Sequence, residues 1–96
     1  MYKIISFESE SQETLQNTIV GWIEDDKQYK SFRISQNNEI EYADVFLKEE
    51  FRNYEHFVGV QSKFDPYQFF LAEPIPLLDL TYESVLEEKA AFERKK

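Results

Sequence analysis

Residues Trp22 to Ile34 read WIEDDKQYKSFRI, and this stretch restricts the fold more than any other. Before it, Thr18-Ile19-Val20 is a β-branched run that leads into Gly21. Branched side chains crowd the preceding helical turn, and glycine in a helix interior costs about 1 kcal/mol relative to alanine. Leu15, Ile19, Trp22 and Ile23 do fall at helical spacing, so a longer helix competes, but the branched run and the glycine favour a strand from Thr18 to Glu24. After the three carboxylates Glu24-Asp25-Asp26, the segment Tyr29 to Ser35 alternates. It sets Lys30, Phe32 and Ile34 on one face and Ser31 and Arg33 on the other. Two strands flanking a short polar turn predict an antiparallel hairpin. Gln36-Asn37-Asn38 is a second turn signal, and Glu39 to Tyr42 then puts Ile40 and Tyr42 on one face, which extends the hairpin to a meander.

The flanks follow the same logic. Tyr2 to Phe7 is short, apolar and rich in β-formers and predicts a strand. Ser9-Glu10-Ser11-Gln12 has capping-box spacing, so one or two helical turns are expected there. Beyond Asp44, a possible helix cap, Leu47, Phe51, Tyr54 and Val58 recur at i, i+4, i+7 and i+11, which predicts an amphipathic helix at about Asp44 to Tyr54. Phe57-Val58-Gly59-Val60 and Tyr67 to Leu71 read as a further hairpin, and Pro74 and Pro76 as breaks in regular structure. Asp79 or Thr81 opens a last helix with Tyr82, Val85, Leu86 and Phe92 roughly on one side, and its basic end suits the negative pole of the helix dipole. The expectation is one α+β domain over residues 1–96: a mostly antiparallel sheet of about five strands with a central and a C-terminal helix. The 96 residues include six Tyr, nine Phe and one Trp, enough aromatic surface for one modest core.

Charge restricts the partners. The formal net charge is −8. Residues 80–96 hold four acids and four bases, so the remaining 15 acids and 7 bases, all within residues 1–79, carry the whole imbalance. Direct binding of nucleic acid or of an anionic membrane surface is disfavoured, because both depend on basic contacts, whereas a basic protein would be attracted and steered. The start, Met1 to Phe7, lacks the charged and apolar regions of a signal peptide, and the longest apolar stretch, Ile19 to Ile23, is far too short to span a bilayer. Together with the absence of cysteine, this predicts a soluble cytoplasmic protein.

Chemistry is thinly represented. His56 is the only histidine, and without cysteine neither a His-based metal cluster nor a Cys/His pair can be assembled. Gly21 and Gly59 are isolated, so there is no phosphate-cradling loop and no nucleophile elbow. Nothing singles out one pair among 19 carboxylates. No cofactor, metal or catalytic residue is expected, and a small hydrolase using carboxylates or His56 is the weakest reading. What stands out is the company of the turn: Glu24, Asp25 and Asp26, then Glu39, Glu41 and Asp44, with Tyr29 and Tyr42 among them. Acids mixed with exposed tyrosines make a protein-binding surface, against the plainer reading of a solvated face. The leading expectation is a non-enzymatic inhibitor that occludes a basic surface of a partner such as a nuclease or another nucleic-acid-binding enzyme. Phage anti-defence and toxin-immunity proteins play this role. The alternative is an accessory subunit or homodimeric structural protein.

Overall fold

The computed structural model describes residues 2–7, 17–64 and 69–94. Five strands form one antiparallel sheet in the order β4-β3-β2-β1-β5. They are β1 (Tyr2–Phe7), β2 (Thr18–Asp25), β3 (Gln28–Ser35), β4 (Ile40–Leu47) and β5 (Phe69–Leu77). A 3₁₀ turn (Lys48–Glu50) and a one-turn helix, α1 (Tyr54–Phe57), follow β4, and a longer helix, α2 (Tyr82–Arg94), follows β5. The small α+β domain with an antiparallel five-stranded sheet and two helices is thus the fold class that the periodicities predict. No described helix is long and apolar enough to cross a membrane. The helical turns expected after Ser9 lie outside the described residues.

The central strands are buried on both faces. Ile4, Ile19, Ile23, Phe32, Ile34 and Val85 build one core, under α2, with Tyr82 and Phe92 packed against it. Ile5, Trp22, Tyr29 and Phe57 build the other, with Phe46, Phe51, Tyr54 and Phe70 around them. This second core explains why the central helix is not where its spacing places it. The chain continues as strand through Asp44 to Leu47, and Phe51, Tyr54 and Phe57 then cross the second face as an irregular cover. Phe57, expected in a hairpin strand, instead lies in α1, its ring edge-on to Trp22 at 5.0 Å and stacked on Tyr29 at 4.1 Å. A ladder of local helical contacts loses here to the packing of large aromatic rings, each able to remove about 150–250 Å² from water.

The strand expected to pair with residues 57–60 pairs with β1 instead. β5 includes Pro74 and Pro76, which is compatible with a strand because β5 is a sheet edge, where a missing N–H leaves no ladder gap on the outer side. The β1–β5 register slips between Ile4↔Ile75 and Ser6↔Phe70, five positions on β5 against two on β1. Tyr54 fills the gap that this slip opens. Its hydroxyl reaches the Ile5 carbonyl at 2.9 Å and the Leu71 carbonyl at 3.0 Å, two acceptors that cannot satisfy each other. The β1–β2 register slips at the same place, and a Cβ on Gly21 would collide with the Ser6 carbonyl, so only glycine admits this close approach of β1.

Helix α2 opens at Thr81, whose Oγ1 accepts from the Ser84 N–H at 3.2 Å, and the Asn38 side chain accepts from the Tyr82 N–H at 2.7 Å. Its inner row is Tyr82, Val85, Lys89 and Phe92; Phe92 packs on Phe7 with ring centroids 5.6 Å apart. Leu86, expected in that row, is 44% exposed. At 100° per residue, Leu86 is turned away from a stripe centred on Val85, Lys89 and Phe92, and the buried stem of Lys89 takes the place the sequence suggests for an apolar residue.

Two measurements check this packing. Val85→Ala should lower the unfolding free energy by about 2 kcal/mol, since two buried methyl groups are lost, while Leu86→Ala should stay within about 0.5 kcal/mol of the parent. Tyr54→Phe should cost about 1–3 kcal/mol at neutral pH by removing the one hydroxyl proton that the Ile5 and Leu71 carbonyls share. The Tyr54 hydroxyl is pushed from 10.0 up to about 12, chiefly by burial and then by the charges of Tyr29 and Glu24. The folded state therefore keeps this proton where the unfolded chain has lost it. Its contribution is whole below about pH 10 and is lost as pH climbs to about 12. Denaturant titrations across that window should show a shallower fall for Tyr54→Phe than for the parent.

Candidate protein-binding surface

The β2–β3 loop is Asp26-Lys27, closed by the Asp25↔Gln28 pair. Asp26 is exposed and takes φ 35°, a left-handed value that Asp and Asn tolerate better than most residues. Its two neighbours are not free acids. Glu24 pairs with Lys48 at 2.6 Å and Asp25 with Lys30 at 3.3 Å, all four side chains being 20–30% exposed. Such half-exposed pairs are worth about 0.2–1 kcal/mol each, but they cancel two of the three tip charges. Shallow hollows flank the tip, one lined by Lys3, Glu24, Asp25, Asp26 and Lys48 and the other by Asp26, Lys27, Leu47, Lys48 and Glu49.

Two residues expected on the binding surface are inside the protein. Tyr29 is 8% exposed, held between Phe57 and Phe51, and burial raises its hydroxyl pKa, with the Glu24 charge adding to the shift. Asp44 is also 8% exposed and is mid-strand rather than a helix cap. Its Oδ2 accepts from Ser31 Oγ at 3.0 Å and from the Lys63 N–H at 2.9 Å, and its own N–H donates to Ser31 Oγ at 2.8 Å. The extra residue that this carboxylate accommodates shifts the β3–β4 register between Lys30 and Phe32, and the carboxylate ties the loop at Lys63 to the sheet. Asp44 is thus a structural carboxylate, its charge satisfied by donors that no partner could displace without opening the domain.

Glu39, just before β4, and Glu41 and Tyr42 on it are exposed. Tyr42 is 43% exposed, with Lys30 Nζ 5.1 Å from its ring centre; its hydroxyl pKa is raised by partial burial, then by Tyr2 and Asp25. Next to it along the strand, Val45 is 51% and Leu47 40% exposed. The helical spacing through Leu47 conceals the strand to which both belong, and with it their exposure. An apolar residue every second or third position on an edge is the signal that would have found them.

The backbone of β4 is open on the same side. The Lys48 N–H donates to the Lys27 carbonyl and the Ser35 N–H to the Glu39 carbonyl, both at 2.9 Å. Antiparallel ladders alternate, so residues 41, 46 and 48 direct their backbone groups to β3, and Tyr42, Val45 and Leu47 direct theirs outward. Among the described residues, no strand lies beyond β4 in the sheet order. The three residues with exposed apolar side chains thus also direct their amide groups outward, as Ile40 does, and they are bordered by the exposed acids Asp26, Glu39, Glu41, Glu49 and Glu50. Among the described residues, no three His, Asp or Glu side chains gather as metal ligands, and His56 is exposed on α1, where its backbone N–H donates to the Asn53 side chain.

Known protein families, curated proteins and solved structures contain no match to this chain.

The burial of Asp44 has a measurable consequence. Asp44→Ala should lower stability by about 1–3 kcal/mol, because Ser31 and the Lys63 N–H lose their acceptor. Glu41→Gln, on the exposed edge, should remain within about 0.5 kcal/mol of the parent in the same unfolding titration.

Proposed function

We propose that this domain is a non-enzymatic, acidic protein-binding inhibitor that covers a basic surface of a partner protein, in particular a surface that would otherwise hold nucleic acid. One observation carries the reading: the exposed acids Asp26, Glu39, Glu41, Glu49 and Glu50 border an exposed apolar row on β4, while Lys30 and Lys48 are occupied by Asp25 and Glu24. An apolar centre with a charged rim is the anatomy of a protein interface, and a rim that is mainly acidic, with Lys27 an exposed base at the turn, steers a basic partner. The net charge of −8 supports the same direction of attraction. An anti-defence or immunity role, in which such a protein neutralises a nuclease, fits this chemistry. The acids that serve this reading are those of the β4 border and Asp26, not Asp44, and Tyr42 serves it in place of Tyr29.

The test joins capture with competition. The domain is immobilised, proteins of its native host are captured at low and high salt, and each captured protein is assayed for nucleic-acid binding with and without the domain. The expected outcome is a basic protein, released by salt, whose nucleic-acid binding the domain blocks. A captured partner that still binds nucleic acid while the domain is attached refutes the inhibitor reading. The combined variant Asp26→Asn, Glu39→Gln and Glu41→Gln should slow association with that partner and leave unfolding free energy within about 0.5 kcal/mol. The difference should shrink as salt approaches 1 M, where the Debye length is about 3 Å.

A further inference from the structure

Resting on that reading, we propose that the open edge of β4 receives an extended segment of the partner protein as a sixth strand, and that this segment alternates apolar residues with lysine or arginine. The geometry defines both features. Tyr42, Val45 and Leu47 offer outward backbone groups and, on the α2 face of the sheet, exposed apolar side chains. A strand laid beside them pairs its amides with these groups and sets every second side chain against the apolar row. Its other side chains fall on the opposite face, where Glu41 is exposed; Glu39 precedes the strand and Glu49 and Glu50 follow it. Cations there meet Glu41 on the strand and Glu39, Glu49 and Glu50 beyond its two ends.

Charge also decides between this occupant and a second copy of the chain. Self-pairing through this edge would bring the acidic borders of two copies, Glu39, Glu41, Glu49 and Glu50 of each, into one interface. Like charges directly opposite are destabilising, and each copy brings a net charge of −8. The register shift of β4 and its flanking acids are the devices by which natural edges resist self-pairing, and a basic strand reverses the sign of the second of them.

The test uses short capped peptides of alternating lysine and valine, with two controls: the same length alternating glutamate and valine, and the lysine peptide N-methylated at alternate residues so that one edge cannot donate. The lysine peptide should bind, the other two should bind at least about tenfold more weakly, and binding should slow hydrogen exchange at the amides of Tyr42, Val45 and Leu47. Val45→Pro removes one outward N–H that β3 does not use, and should weaken the peptide about tenfold while near-ultraviolet dichroism of the buried Trp22 stays that of the parent. If that variant fails to fold, the N-methylated peptide still decides. Equal binding of the N-methylated and unmodified lysine peptides overturns strand addition while leaving salt-dependent capture of a basic partner intact. No binding of the lysine peptide, or equal binding of the glutamate peptide, also overturns it. Self-association that grows with salt and disappears in Val45→Pro assigns the edge to a second copy and overturns it as well. A partner that binds the edge yet leaves its nucleic acid bound would refute the inhibitor reading alone.

Discussion

The fold depends on covering both faces of the strand pair β2–β3. Ile19 and Ile23 point to one side of β2, Val20 and Trp22 to the other, and all four are buried. A sheet with two apolar faces needs two covering layers, and the described residues supply one long helix. α2 takes the first face. The second is closed by the short 3₁₀ turn, α1 and the loop to Phe64, in which Phe51, Tyr54 and Phe57 converge on Trp22 and Tyr29. Large aromatic rings make this economical: few residues, little regular structure, and much surface removed from water.

Polar ties hold that irregular cover in place where a helix would use its own ladder. The Tyr54 hydroxyl joins it to β1 and β5 where their registers part. Asp44 joins it to β3 and β4 through Ser31 and the Lys63 amide. Arg33, whose guanidinium lies 4.5 Å from the Phe64 ring centre, adds a third attachment. Each of these groups would be costly to bury alone, and Tyr54 and Asp44 are placed where the strand registers shift. With both layers spent on the faces, no element among the described residues covers the edge at β4. The exposed amides, the apolar row and the acidic border there are consequences of how the core was closed, and they form the surface on which the functional proposal stands.

Candidate site and core are thus divided by a few positions of register. Residues 41, 44 and 46 share one face of β4, yet Glu41 is exposed and Asp44 buried, because only Asp44 lies under the loop at Lys63. Tyr29 and Tyr42 occupy neighbouring strands on opposite faces, one under Phe57 and the other beside Lys30. A tally of acids and tyrosines along the chain treats these residues as equivalent, whereas the two covering layers do not.

Local pattern determined much of the protein. The β-branched run at Thr18, the alternation from Tyr29 to Ser35 and the turn at Gln36-Asn37-Asn38 each rest on interactions within a few residues, so β2, β3 and their hairpin were legible, as were β1 and the start of α2 at Thr81. Segments whose conformation answers to distant partners were not. Leu47, Phe51, Tyr54 and Val58 keep helical spacing, but the strand through Leu47 is held by β3, and Tyr54 is held by carbonyls 49 and 17 residues away in sequence. The prolines of β5 forbid a central strand and permit an edge, and only the assembled sheet says which one β5 is. Composition likewise determined that the surface would be acidic. Which acids face solvent, which are paired and which one is locked inside was decided by tertiary structure, because burial and charge pairing are properties of neighbours that the chain brings together only on folding.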